Sequence, residues 1–204
     1  MSHLITKTHL PLFLNNQFIP MFTVYVFGCL LTTNSKTSPI MVSFSLSLLF
    51  LYSYFIHVGF HNLPNTMNIH LTHHHNNHDE HNKSSLCRVT GWMLEFTTNV
   101  LFFALFYWFQ ILVNVHVVPD VLIFYYGFIY VTIHNINYSL FHSATEHVLH
   151  HTTTDSTSTT CNYGPDLVDH LFRTKYNNKT FENYNHITPN ILVSFLVTSC
   201  FFNR

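Results

Sequence analysis

Charge is what this chain most lacks. Asp, Glu, Lys and Arg make up 8% of its 204 residues, against roughly 25% in an ordinary soluble chain. Too few charges are present to cover a soluble fold, while 48% of the residues are hydrophobic and 17% aromatic. A formal net charge of -1 leaves no basic stripe to neutralise phosphates, which excludes a nucleic-acid partner. Glycine is scarce, at five residues, and no glycine loop is present to cradle a nucleotide phosphate. The four cysteines, Cys29, Cys87, Cys161 and Cys200, form no CxxC pair. They read as free thiols rather than a disulfide framework. No HExxH motif and no recognisable Ser or Cys nucleophile occurs.

What the chain does have is long apolar runs. At 204 residues it is expected to be a single membrane domain, all-α, with about four transmembrane helices. Those spans are expected at about 10–31, 40–60, 96–118 and 121–141, the first broken by Asn15, Asn16 and Pro20. No cleavable leader is evident, so the first run is expected to be a retained span. Pro119-Asp120 supplies the turn between the last two spans. Ile191 to Phe202 is too short to cross and is expected at the interface or against the bundle.

Histidine is abundant, at 18 residues, and ten of these fall in three clusters where apolar runs meet polar sequence: His57/His61; His70/His73/His74/His75; and His142/His147/His150/His151. With four alternating crossings, all three clusters lie on one side of the membrane. Lys7, Lys83, Arg88, Arg173, Lys175, Lys179 and Arg204 fall on that side too, and Lys36 on the other. By the positive-inside rule the histidine face is cytosolic. The expected cap on that face comprises 57–95 and 142–190.

The spacings converge the imidazoles. His57 and His61 stand one helical turn apart; His70, His73 and His74 share a face at i, i+3 and i+4, as do His147, His150 and His151. His134 lies inside the fourth span, with Tyr138 and His142 on the same face, where an unpaired polar group is costly. Eight or more imidazoles exceed the six positions around one first-row ion, so the pattern calls for two metals, of the iron, zinc or copper type. The candidate ligands are His57, His61, His70, His73, His74, His142, His147, His150, His151 and His134. Glu146 and Asp169 are the carboxylates chosen to accept a hydrogen bond from the far nitrogen of a ligating histidine. His3, His9, His75, His78, His81 and His116 read as terminal, loop or interfacial residues. His170 and His186 read as surface groups or as groups supporting the ligands.

These residues resemble the fatty acid hydroxylase superfamily, which includes sterol desaturases and sterol C4-methyl oxidases. The family's boxes HxxxH, HxxHH and HxxHH match His57/His61, His70/His73/His74 and His147/His150/His151. Asn162-Tyr163-Gly164 and Asp169-His170-Leu171-Phe172-Arg173-Thr174 resemble its later motifs, and the likeness spans roughly 40–180. Departures are Val58, where many members carry arginine; Arg173, where the motif has glycine; and the Thr/Ser run Thr152 to Thr160. The resemblance implies a membrane-bound, O2-dependent lipid hydroxylase or desaturase, in the endoplasmic reticulum if the source is eukaryotic. It further implies two iron ions (zinc can substitute), a fatty acyl or sterol substrate, and electrons from a separate cytochrome b5-type donor with its reductase. No catalytic residue is expected beyond the metal ligands. Two other classes fit part of the pattern. A zinc or copper carrier would need mid-membrane polar groups, offered by His134, Asn114 and Asn137. A zinc-dependent membrane hydrolase would need a base within HExxH, which is absent.

Overall fold

The computed structural model describes residues 9–62, 85–138, 141, 162–175 and 181–202. Among these, all regular structure is helical. Helix α1 (His9–Phe13) runs through a π-helical stretch (Leu14–Phe18) into α2 (Ile19–Leu31). Helix α3 spans Pro39–His61, α4 Ser85–Leu112 and α5 Asp120–Thr132, the last continuing as a π-helix over Ile133–Tyr138. A short α6 (Asp166–Phe172) and a 3-10 turn (Tyr184–Ile187) precede α7 (Thr188–Phe202).

Three of these helical stretches are long and apolar enough to cross a membrane: Leu10–Leu31, Pro39–His61 and Val89–Leu112. Their outward faces are as apolar as their inward ones: Ile19, Phe22, Ile40, Phe44, Leu105, Trp108 and Phe109 are all exposed. Faces like these are consistent with a lipid surround. Hydroxyls on them are satisfied within the helix, as Thr23 donates to the Ile19 carbonyl and Thr97 to that of Met93. The fourth expected span is α-helical over Asp120–Thr132 alone.

Local chemistry accounts for the helix ends. Ser38 accepts from the Met41 amide and Pro39 takes the first helical position of α3, where its missing N–H costs nothing. Residues 14–18 widen into a π turn just ahead of Pro20, whose ring cannot join an α-helical ladder. The third helix departs from the expected 96–118: it starts at Ser85 and stops at Leu112. Asn114 takes a left-handed φ of 52°, and the Gln110 side chain clamps both the N–H and the C=O of Val118, closing the turn into α5.

The bundle core is built by α2, α3, α4, α5 and α7 around Val42, Leu49, Phe103, Leu122, Tyr125 and Ile191. Two glycines permit the closest approaches. A Cβ on Gly28 would stand 3.1 Å from Val42 Cγ1, and one on Gly127 would stand 2.9 Å from Phe103. Helix α7 packs on the bundle, with Phe195 stacked on Phe27 at 4.3 Å and Phe201 against Phe124. Helix α3 ends, and the π segment after α5 lies, at the end of the bundle opposite Lys36, which sits in the turn between α2 and α3.

Candidate functional site

Three candidate histidines from two helices meet at that end. The ring centroids of His57 and His61 are 5.1 Å apart, as one turn of α3 requires. His134, on the π segment after α5, lies 6.3 Å from His57. His57 is 3% exposed and His134 8%, so both imidazoles have left water and need defined partners.

Those partners are backbone carbonyls. His57 Nδ1 lies 2.7 Å from the Tyr163 oxygen, and His134 Nδ1 lies 3.1 Å from that of Tyr130. A carbonyl only accepts, so in each ring Nδ1 carries a proton, and in the neutral ring Nε2 is the nitrogen left to bind a metal. His134 also stacks on the Tyr130 ring at 4.1 Å and meets Tyr138 edge-on at 5.4 Å. Tyr163 packs against both His57 and His61, at 5.6 and 5.2 Å.

The segment 162–175 is held against α3 by side-chain contacts at both ends of α6. Tyr54 stacks on Phe172 at 5.0 Å and bonds Thr174 through its hydroxyl. Asp169 takes hydrogen bonds from the Tyr163 and Gly164 amides and from the Thr174 hydroxyl. Its carboxylate therefore reaches His57 through Tyr163, one residue removed from the ring that it was expected to touch. Burial pushes the Asp169 carboxyl up to about 6, against the pull of the Thr174 and Gly164 donors. Arg173 ends α6 in the left-handed conformation, at φ 60° and ψ 34°.

A second polar node, centred on Asp166, adjoins this one. Asp166 pairs with Lys175, accepts from Gln17 Nε2 at 2.6 Å and from the Glu182 amide, and donates its own amide to the Tyr184 hydroxyl. Asn16 adds a bond to the Phe181 carbonyl at 2.7 Å. The π turn of the first helix thus aims two polar side chains at the loops around the site. The sequence marks Asn15 and Asn16 as a break in the span and Lys175 as one of the charges on the histidine side, but it does not show that Gln17, Asp166 and Lys175 meet. The available signal was Gln17 itself, an amide in an apolar run that must find a partner. His186 lies 6.2 Å from Tyr138 and donates through Nδ1 to the Asn183 carbonyl; burial holds its pKa below the usual histidine value.

His70, His73, His74, His142, Glu146, His147, His150 and His151 lie outside the described residues. Among the described residues no three His, Cys, Asp or Glu side chains are grouped closely enough to hold a metal ion by themselves. A cavity of about 100 Å³ opens beside His134 and Tyr163, walled by α2, α3 and α5. No family model, curated protein or solved structure matches this chain.

Proposed function

We propose that this chain is a membrane-bound non-haem di-iron oxygenase that hydroxylates or desaturates a lipid, a fatty acyl chain or a sterol. The observation that carries the reading is the meeting of His57, His61 and His134 at one end of an apolar bundle, beside a cavity. His57 and His134 come from separate helices and are buried with ring centroids 6.3 Å apart, and neutral histidines that converge in this way can share metal ions. The donor chemistry fits: Nδ1–H bonds to Tyr163 and Tyr130 fix the tautomer that presents Nε2 to a borderline metal.

The residues that would hold two irons are His57, His61 and His134 with His70, His73, His74, His142, His147, His150 and His151. Bound there, the iron pair supplies the redox chemistry that activates O2 and functionalises an unactivated C–H bond. The chain's own residues do the rest. Tyr163 and Tyr130 hold the ligand rings, Asp169 holds Tyr163, and the aromatic and aliphatic walls exclude water from the reacting centre. Glu146 is assigned the same supporting role as Asp169. Electrons enter from a separate cytochrome b5-type protein and its reductase. With α5 and its π extension read as a fourth crossing, the charge asymmetry supports a cytosolic histidine face, and the proposed compartment in a eukaryote is the endoplasmic reticulum.

Purified protein is expected to carry two irons per chain, and cells expressing it are expected to gain an oxidised lipid. A variant carrying His150→Ala and His151→Ala should lose both the metal and the product. One zinc per chain would favour the hydrolase class instead, and weakly held metal a carrier. Identical lipid profiles from a fully iron-loaded wild type and the double variant would sink the reading.

A further inference from the structure

Helix α6 is amphipathic in the sense opposite to a helix at a water surface. Its two carboxylates, Asp166 and Asp169, are buried against the bundle, while Leu167 and Leu171, one turn apart on the other side, face out with Phe172. Leu171 is 54% exposed and Asp169 1%. A single exposed leucine is ordinary, but aspartate is kept inside only where it is paired. Both are paired here, Asp166 by Lys175 and Gln17, and Asp169 by the Tyr163 and Gly164 amides and the Thr174 hydroxyl. The apolar side continues onto the outward face of α3, where Phe172 meets the exposed Phe55 ring at 5.3 Å.

Two contacts set the depth of α6. At its start, Asp166 accepts from Gln17, which lies two turns in from the Leu10 end of the Leu10–Leu31 stretch. At its end, Phe172 stacks on Tyr54, two turns in from the His61 end of α3. Both of those helix ends are the ones opposite Lys36, so α6 lies flat across the bundle at one level. Two turns amount to about 11 Å. The 23 residues of α3 measure about 34 Å, against roughly 30 Å of hydrocarbon. Were the whole excess of about 4 Å to protrude at the His61 end, α6 would still sit about 7 Å inside the lipid.

A segment at that depth must satisfy its own backbone, since no water is there to do so. The Tyr163 and Gly164 amides bond the Asp169 carboxylate, and the Asp166 amide bonds the Tyr184 hydroxyl. Val168 and Asp169 donate to the Pro165 carbonyl, and Thr174 donates to that of Asp169. Asn162 donates to the Thr174 carbonyl and ties the two ends of the segment together. We propose that α6 is a membrane-embedded helix lying in the plane of the leaflet, and that Leu167, Leu171, Phe172 and Phe55 form one face packed by lipid acyl chains. The helix belongs to the stretch expected as a cytosolic cap, so the floor of that cap is lipid. This holds whether or not the chain is an oxygenase.

The test uses the full chain in phosphatidylcholine nanodiscs and two reagents read residue by residue by mass spectrometry. One is an apolar aryl diazirine that partitions among acyl chains, the other hydroxyl radicals generated in the water. Leu167, Leu171 and Phe172 should take up the carbene as heavily as Phe44 and Phe55 of α3, and should escape oxidation. Leu171→Asp sets a charge among acyl chains and should lower the thermal unfolding midpoint by several degrees. Asn34→Asp, in the exposed turn between α2 and α3, should leave it in place. Oxidation of Leu171 and Phe172 without carbene uptake would mean that the face meets water. Protection from both reagents would mean that another protein surface, a second copy included, covers it. Either result overturns the proposal, as does an unchanged midpoint for Leu171→Asp.

Discussion

The carbonyl of Tyr163 sits 2.7 Å from Nδ1 of His57, although 106 residues separate them in the chain. That one contact fixes the tautomer of a buried imidazole, and Asp169 fixes the contact by binding the Tyr163 and Gly164 amides. Removing the carboxylate should therefore be felt at the histidine.

Asp169→Ala is expected to lower metal affinity about 10–100-fold, the usual cost of losing a group that orients a ligand. Competition titration with a chelator of known strength measures it. Unchanged affinity in a protein with normal helical circular dichroism would confine Asp169 to holding the loop.

The same residue makes stability depend on pH. Burial raises its carboxyl to about 6 in the folded chain, above the unfolded value of roughly 4. The fold thus holds this proton more tightly than the unfolded chain does. The contribution is complete below about pH 4 and is lost as pH rises through 6, a change of roughly 3 kcal/mol. Thermal unfolding in micelles at pH 4.5 and 7 should show the wild type losing more stability over that interval than Asp169→Asn does.

Lys175 and Asp166 form an ion pair with side chains 0% and 4% exposed. Lys175→Met leaves a buried carboxylate without its cation and should destabilise the protein by about 3–5 kcal/mol. Adding Asp166→Asn should recover much of that loss. A double variant as unstable as the sum of the two single variants would show that the pair is not coupled.

Arg173 adopts the left-handed conformation that closes α6, a position where the resembling motif carries glycine. A side chain there costs roughly 1 kcal/mol relative to glycine. Arg173→Gly is expected to raise the unfolding midpoint by a few degrees. A fall would mean that the arginine side chain makes a compensating contact.

Much of the fold was legible because helical periodicity is local. The apolar runs located the helices, and the one-turn spacing of His57 and His61 placed two rings together before any tertiary contact was considered. Placing Tyr138 one turn after His134 was likewise sound, since the rings stand 5.4 Å apart. The bounds of α4 were misjudged, since it starts at Ser85 and stops at Leu112 where 96–118 was expected; the stop is set by the Gln110–Val118 clamp and the left-handed Asn114. A hydrogen bond across eight residues leaves no trace in hydropathy.

By itself, then, the sequence determined the long apolar helices seen among the described residues, and put His57 and His61 together near the end of one of them, since composition and 3.6-residue spacing act within a single helix. Only the tertiary structure decided that His134 comes beside His57, that a backbone carbonyl holds each of those rings, and that Gln17, Asp166 and Lys175 tie the first helix to the site. Backbone carbonyls are identical at every residue, and a buried ion pair joins positions far apart in the chain. Neither carries a local signature, so packing alone selects which of them meet.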